Sequence, residues 1–224
     1  LIAYTVGVPD ALLSENDDAL RSIVMPMASG TEAENLFVYD SEGQLRLHLV
    51  ERPDGGLGEF SLQDTAALAE LATNILAEKD PNSLPQRVLD IDPVNQNRYY
   101  YTALPIPSSD DRETVGVVIV GTSINTLIDY FRRTSFANII LYDLNGEAYA
   151  TTFAQSDDPF FFSELSIPPA LLENIRTETK AVTGENVELE VDGRDYRLAR
   201  GVLKVSGTEL GAFAVVLPLQ FVLE

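Results

Sequence analysis

A polar-turn hairpin is written twice in this chain, and that duplication restricts the fold more than any other feature. Residues 138–153 read NIILYDLNGEAYATTF: an apolar run enters Asp143, crosses a short turn through Asn145 and Gly146, and leaves as a second strand. Asp and Asn suit such a turn because they hydrogen-bond their own backbone, and Gly because it accepts positive φ. Residues 35–49, NLFVYDSEGQLRLHL, repeat the Asn, the apolar triplet, the Tyr-Asp and the Gly. Two later landmarks recur in the same order. The step from Asn35 to Asn138 is 103 residues, from Tyr99 to Tyr196 it is 97, and from Gly116 to Gly211 it is 95. A nearly constant step predicts tandem modules, each a hairpin, a helical connection and further antiparallel strands.

The remaining elements fit that order. Residues 1–30 have a helical pattern: Asp17 or Asp18 is placed to cap a helix whose Leu20, Ile23, Val24 and Met27 share one face. Pro9 separates this helix from the apolar stub Leu1 to Val8. Leu62 to Lys79 is rich in Ala and Leu and reads as a helix capped by Ser61. Arg98 to Ile106 and Thr114 to Ile124 read as strands, Asn125 to Arg133 as a helix, and Gly55 to Gly58 as a turn. In the second half the pattern predicts a helix over Leu165 to Thr177, opened by Pro168-Pro169. Strands follow over Val187 to Gly193, Asp195 to Val205 and Gly211 to Leu219. The fold expected is therefore α+β, with a helical segment over 1–30, one module over 31–133 and a second over 134–224.

Composition narrows the function. With 35 acidic against 15 basic residues the net charge is −20, which argues against a nucleic-acid surface and against docking on anionic lipid. There is no Cys, so thiol chemistry and thiolate metal sites are excluded, and His48 is the only histidine, so a multi-His metal site is too. No apolar run approaches the roughly 20 residues that span a bilayer. Both ends read as cut, with any membrane segment outside the sequence. There is no Walker loop, no G-x-S-x-G and no G-x-G-x-x-G, so no enzyme motif and no cofactor is expected.

An apolar-Tyr-Asp-x-x-Gly hairpin, then helices, then strands ending in GVVIVG (Gly116 to Gly121), resembles a PAS-like module. Two in tandem behind a helical stub resemble the double Cache domains of bacterial transmembrane receptors. That resemblance implies an extracytoplasmic sensor of small molecules, with a membrane-distal module first and a membrane-proximal one second. The output would be a histidine kinase, a chemoreceptor or a cyclase. Amino-acid-binding members carry an Arg followed by aromatics before the middle strands of the distal module, which Arg98-Tyr99-Tyr100-Tyr101 matches. They also carry an Asp at the end of its last strand, and Val120-Gly121-Thr122 has none. The resemblance therefore leaves organic acids or neutral polar compounds as the expected ligands.

In a strand, Arg98, Tyr100 and Thr102 share one face and Tyr99, Tyr101 and Ala103 the other. A guanidinium with phenol donors suits a carboxylate, phosphate or carbonyl, and the rings give flat walls. Arg98 with Tyr99 or Tyr101, assisted by Thr102, is the expected ligand site. Arg46 and His48 join it if the polar face of the first hairpin, opposite Leu45, Leu47 and Leu49, looks into the module. The bland alternatives are a tyrosine face packed in the core and a solvated hairpin face. Asp90, Asp92, Asn95 and Asn97 are oxygen ligands of a kind suited to calcium, but they lack the glycine and closing Glu of a calcium loop, and no metal is expected. Phe160 to Phe162 read as a core anchor or a partner contact. The rival functions are a protein-docking module without a small ligand and a secreted hydrolase.

The stub before Pro9 is too short for a helical seam and the −20 charge opposes self-association, so the chain is expected to be monomeric or a weak homodimer. Light scattering at micromolar concentration checks this; a tight dimer insensitive to salt contradicts it.

Overall fold

The computed structural model describes residues 2–30, 33–52, 55–92, 97–153, 160–177, 188–191, 193–205 and 207–219. It is α+β and divides into two compact units, Leu1–Ser123 and Ile124–Glu224. The first opens with a 3-10 turn (Ile2–Tyr4) and helices α1 (Val8–Leu13) and α2 (Asp17–Ala28). Strands β1 (Asn35–Asp40), β2 (Leu45–Glu51) and β3 (Leu57–Glu59) come next, then helix α3 (Ala66–Glu78). Strands β4 (Gln86–Ile91), β5 (Arg98–Pro107) and β6 (Thr114–Ser123) complete an antiparallel sheet ordered β3-β2-β1-β6-β5-β4.

Both faces of this sheet are covered, so β1 is buried along its whole length, and Leu36 to Tyr39 within it read as a continuous apolar run. Leu36, Val38, Leu47, Leu49, Ile106 and Val118 pack with Val8, Leu12, Leu20 and Val24 of α1 and α2. Phe37, Tyr39, Tyr99, Tyr101, Val117 and Ile119 pack with Leu68, Leu71, Ala72 and Ile75 of α3.

The local signals explain most helix ends. Asn16, rather than Asp17 or Asp18, caps α2 by accepting from the Ala19 N–H, which leaves both aspartates in the first turn, where carboxylates suit the helix dipole. Thr65, rather than Ser61, caps α3 through the Leu68 N–H, and the chain from 61 to 65 reaches it in non-helical form. Pro9 lies inside the first turn of α1, where its missing N–H costs nothing. Two strands were not expected. β3 occupies the glycine-rich stretch read as a turn, and β4 a stretch whose Gln86, Arg87 and Asp90 interrupt the apolar pattern. Both are edge strands of the sheet.

The second unit begins with α4 (Ile124–Thr134), followed by β7 (Asn138–Tyr142), β8 (Ala148–Thr151), α5 (Phe161–Leu165) and α6 (Pro169–Thr177). Strands β9 (Glu188–Val191), β10 (Arg194–Val205) and β11 (Thr208–Pro218) give a sheet ordered β8-β7-β11-β10-β9. Helix α4 packs on β7 and β8, so it goes with the second unit rather than closing a module that ends at 133. The core holds Ile140, Tyr142, Phe153, Leu165, Leu172, Ile175, Tyr196, Leu198 and Val216. Phe161 anchors in it while Phe160 is exposed; Asp157 to Pro159 lie outside the described residues.

The repeat is reproduced in the strand register. Asn35 faces Gly121 and Asn138 faces Val216; Tyr99 faces Ser123 and Tyr196 faces Pro218; Ile106 faces Gly116 and Leu203 faces Gly211. Each second pair is the first pair displaced by the steps found in the sequence. The turns match too. Asp40 Oδ1 accepts from the N–H groups of Glu42 and Gln44, and Asp143 Oδ1 from those of Asn145 and Glu147. The repeated glycines share a steric reason. A Cβ at Gly116 would lie 2.4 Å from the Tyr39 carbonyl oxygen, and one at Gly211 would lie 2.1 Å from that of Tyr142.

Gly211 also has φ +136, whereas Gly193 has φ +70 with open space around it. Gly193→Ala bears only left-handed strain, about 1–2 kcal/mol. Gly211→Ala adds a backbone collision, and the expected loss is more than about 4 kcal/mol. Urea unfolding of the two variants checks the ranking; equal midpoints contradict it.

Candidate functional site

The α3 side of the first sheet buries polar groups as well as rings. Asn35 opens β1, His48 stands on β2 and Asp92 follows the last residue of β4; each is 0% exposed. His48 Nδ1 lies 3.0 Å from the Ser61 carbonyl oxygen, and its Nε2 3.1 Å from Asn35 Oδ1. Asn35 Nδ2 donates to Asp92 Oδ2 and, at 3.2 Å, to the Tyr101 hydroxyl. Phe37 stacks on the imidazole with centroids 4.2 Å apart, and Phe60 meets it edge-on.

Around this chain of bonds stand the tyrosines. Tyr99 and Tyr101 stack with centroids 5.6 Å apart. Gly121 makes that possible, because a Cβ there would lie 2.6 Å from the Tyr101 ring. The Tyr39 hydroxyl donates to Asp64 at 3.0 Å, and the Thr65 hydroxyl to Asp90. Burial, then the charge of Asp64, pushes the Tyr39 phenol well above its ordinary range. Burial, then Asp92, Tyr99 and Asp90, does the same to Tyr101. Both remain protonated, Tyr39 donating to Asp64 and Tyr101 accepting from Asn35. His48 is pushed down by burial, against the Ser61 carbonyl and the charges of Asp92 and Asp64. The site thus offers phenol walls, hydroxyl donors and three carboxylates, the equipment of polar recognition.

The residues singled out in the sequence are separated by this geometry. Tyr99, Tyr101 and His48 are buried on the α3 side. Arg98 and Thr102 occupy the alternate, half-buried positions of β5, and Thr102 bonds the Tyr100 hydroxyl. Arg46 does not share a face with His48. The register between β1 and β2 shifts at Val38/Tyr39, with Val38 facing Leu47 and Tyr39 facing Leu45, so Arg46 is the extra residue of a bulge. Its guanidinium binds Asp17 at 2.7 Å, Asp40 at 3.3 Å and the Glu15 carbonyl. It therefore ties α2 to the hairpin. Nor is the face of His48 solvated, as a half-buried hairpin would leave it.

Asn35 and Asp64 were not expected at the site. Asn35 was legible only as a landmark of the repeat. Asp92 lay in the stretch weighed for calcium, of which Asn95 is outside the described residues. Among the described residues no group of three or more His, Asp or Glu side chains is arranged to hold a metal.

The second unit supplies the comparison within the molecule. The positions of Phe37, Tyr101 and Gly121 are taken there by Ile140, Leu198 and Val216, all buried in an apolar cluster. The polar positions differ less, since Asn138 stands at the position of Asn35 and Thr151 at that of His48; what the second unit replaces with aliphatic side chains is the rings and the glycine beside them.

Comparisons with known proteins agree with this architecture. A family model described as the double sensory domain of two-component sensor kinases (dCache_3) matches residues 1–223. No curated protein matches the sequence. Among solved structures, the domain of a sensory box/GGDEF family protein from Vibrio parahaemolyticus is 14% identical, with TM-score 0.64, over 98% of this chain and 86% of that one. The ligand-binding domain of the Campylobacter jejuni chemoreceptor Tlp3, in complex with 4-methylisoleucine, is 15% identical with TM-score 0.60, over 100% and 80%. That of the Pseudomonas fluorescens chemoreceptor CtaA, in complex with L-serine, is 15% identical with TM-score 0.55, over 95% and 85%. These likenesses are of fold, and the family match over nearly the whole length decides membership: the chain belongs to the double Cache sensory domains.

Proposed function

We propose that this is the extracytoplasmic sensor domain of a membrane-anchored receptor, of histidine-kinase, chemoreceptor or cyclase type. In this reading the first unit is the membrane-distal module and binds a small polar molecule against Tyr99 and Tyr101. The second is the membrane-proximal module, which passes the shift toward the output through β11. Membrane anchoring rests on the family, since among the described residues no helix is long and apolar enough to cross a membrane. The observation that carries the assignment to the first unit is the unequal repeat. Buried polar groups weaken a core unless each is matched; the first copy holds Asn35, His48 and Asp92 at full burial, whereas the second has Thr151 at the position of His48, Leu198 at that of Tyr101 and a half-buried Asn138 at that of Asn35.

The tyrosine wall is bordered by the carboxylates of Asp64, Asp90 and Asp92, which favour a ligand rich in hydrogen-bond donors, such as a hydroxyl, amide or ammonium compound. Amino acids belong in that class. The family's Asp at the end of the last strand is absent, but Asp92 brings a carboxylate to the Tyr101 side from another part of the chain. An anionic ligand would instead use Arg98, with Thr102 beside it, as the basic group opening β5.

A thermal-shift screen of amino acids, amines, sugars and organic acids tests this. A binder at 100 times its Kd is expected to stabilise the chain by about 2.7 kcal/mol. Tyr99→Ala should weaken that binder tenfold or more, and Arg98→Ala should leave it within twofold. A large loss in Arg98→Ala alone moves the reading to an anionic ligand. Unchanged binding in both variants, or no binder in the screen, removes the site from this wall.

A further inference from the structure

The donors and acceptors of the His48–Asn35–Asp92 chain do not balance for a neutral imidazole and an ionised aspartate. The Ser61 carbonyl only accepts, so His48 Nδ1 carries a hydrogen. That leaves Asn35 with one oxygen and one NH2 group to offer to His48 Nε2 and Asp92 Oδ2. With the amide oxygen toward His48, Nε2 must also carry a hydrogen, which makes the ring cationic. The NH2 group then donates to Asp92 and to the Tyr101 hydroxyl. With the amide turned over, its NH2 donates to a neutral ring and its oxygen faces Asp92, which must then be the protonated acid. Either way the chain closes only when it holds one proton more than imidazole plus carboxylate. Without that proton an acceptor faces an acceptor at residues shielded from solvent.

We propose that the first unit contains a proton-operated latch, in which one proton taken up by the His48–Asn35–Asp92 chain fastens the end of β4, at Asp92, to β1 and β2. The charged and titratable groups around it are Asp64 and the Ser61 carbonyl from the segment leading into α3, Asp90 and Asp92 from β4 and its end, and Tyr99 and Tyr101 from β5. Arg98 stands opposite Ile91 on β5, and Glu34, which leads into β1, accepts from the Ser123 N–H of β6. Burial holds the imidazole below its ordinary value of 6.5 and outweighs the pull of Asp92 and Asp64, so loading falls on the acid side of that value. A latch that closes on the proton binds it more tightly closed than open, against the burial that lowers the imidazole, so it is closed below its midpoint and loosens as pH rises through it. Since Asp92 borders the tyrosine wall, acidification stiffens that edge of the first unit.

The chain's single histidine makes the test direct, because its imidazole gives one NMR signal and needs no assignment. With no ligand added, the wild-type ring is expected to titrate below pH 6.5. Hydrogen exchange in residues 86–92, corrected for the intrinsic pH dependence, should become more protected below that midpoint. In Asp92→Asn the new amide supplies the missing hydrogen to the Asn35 oxygen, and the carboxylate that favoured the cationic ring is gone. The histidine midpoint should then move to lower pH or leave the accessible range, and protection of 86–92 should become independent of pH. A histidine that titrates alike in both proteins, together with protection of 86–92 that Asp92→Asn leaves as pH-dependent as in the wild type, overturns the latch. So does wild-type protection of 86–92 that is flat across the midpoint, a result that needs no variant. Neither outcome bears on whether a small ligand binds at Tyr99.

Discussion

The close approach of a glycine to a central-strand carbonyl underlies both halves of this molecule. Gly116 on β6 and Gly211 on β11 let their strands run against Tyr39 and Tyr142 at a distance that no Cβ permits. That contact sets the register of the central pair, and the register sets which side chains face which way, since a slip of one residue inverts every face. The Asp turns of the two hairpins then hold β1 to β2 and β7 to β8 at the same relative positions. From this frame follow the two faces of the first sheet, one for α1 and α2 and one for α3.

What distinguishes the copies is how the α3-type face is filled. The second fills it mainly with aliphatic and aromatic groups, with Thr151 at the position of His48. The first accepts Asn35, His48 and Asp92 at full burial, a choice that stabilises only if every donor and acceptor is matched. Gly121 shows how the scaffold makes room: the small residue opposite Asn35 lets the Tyr101 ring lie across its strand, and Val216 occupies that position in the other unit. A sensor has to change state when its ligand arrives, and a polar network with alternative hydrogen-bond arrangements can be biased where a close-packed apolar core cannot.

Much of the fold was legible because its signals are local. The Asp-x-x-Gly turns, the alternation in β5 and β6, the Ala/Leu run of α3 and the three landmarks of the repeat can each be read within a few residues. What was missed depends on distant partners. Strand β4 is interrupted by polar residues and forms because β5 offers it an edge. Arg46 changes face because of a one-residue bulge, which alternation alone cannot foresee. Asp92 lay in an ordinary polar stretch, and its burial comes from Asn35, 57 residues earlier in the chain. Of the candidate site, Tyr99, Tyr101 and His48 were singled out in the sequence by type alone. The partners that give them a role required the folded sheet.

The central claim is that recognition belongs to the first copy of the fold. Amide chemical-shift mapping of the isotopically labelled chain, with the first ligand found in solution, tests it most directly. The account predicts perturbations concentrated at residues 35–40, 99–103 and 117–123, with those of 138–142 and 196–200 left in place. Perturbations centred on 138–142 and 196–200 instead would contradict it.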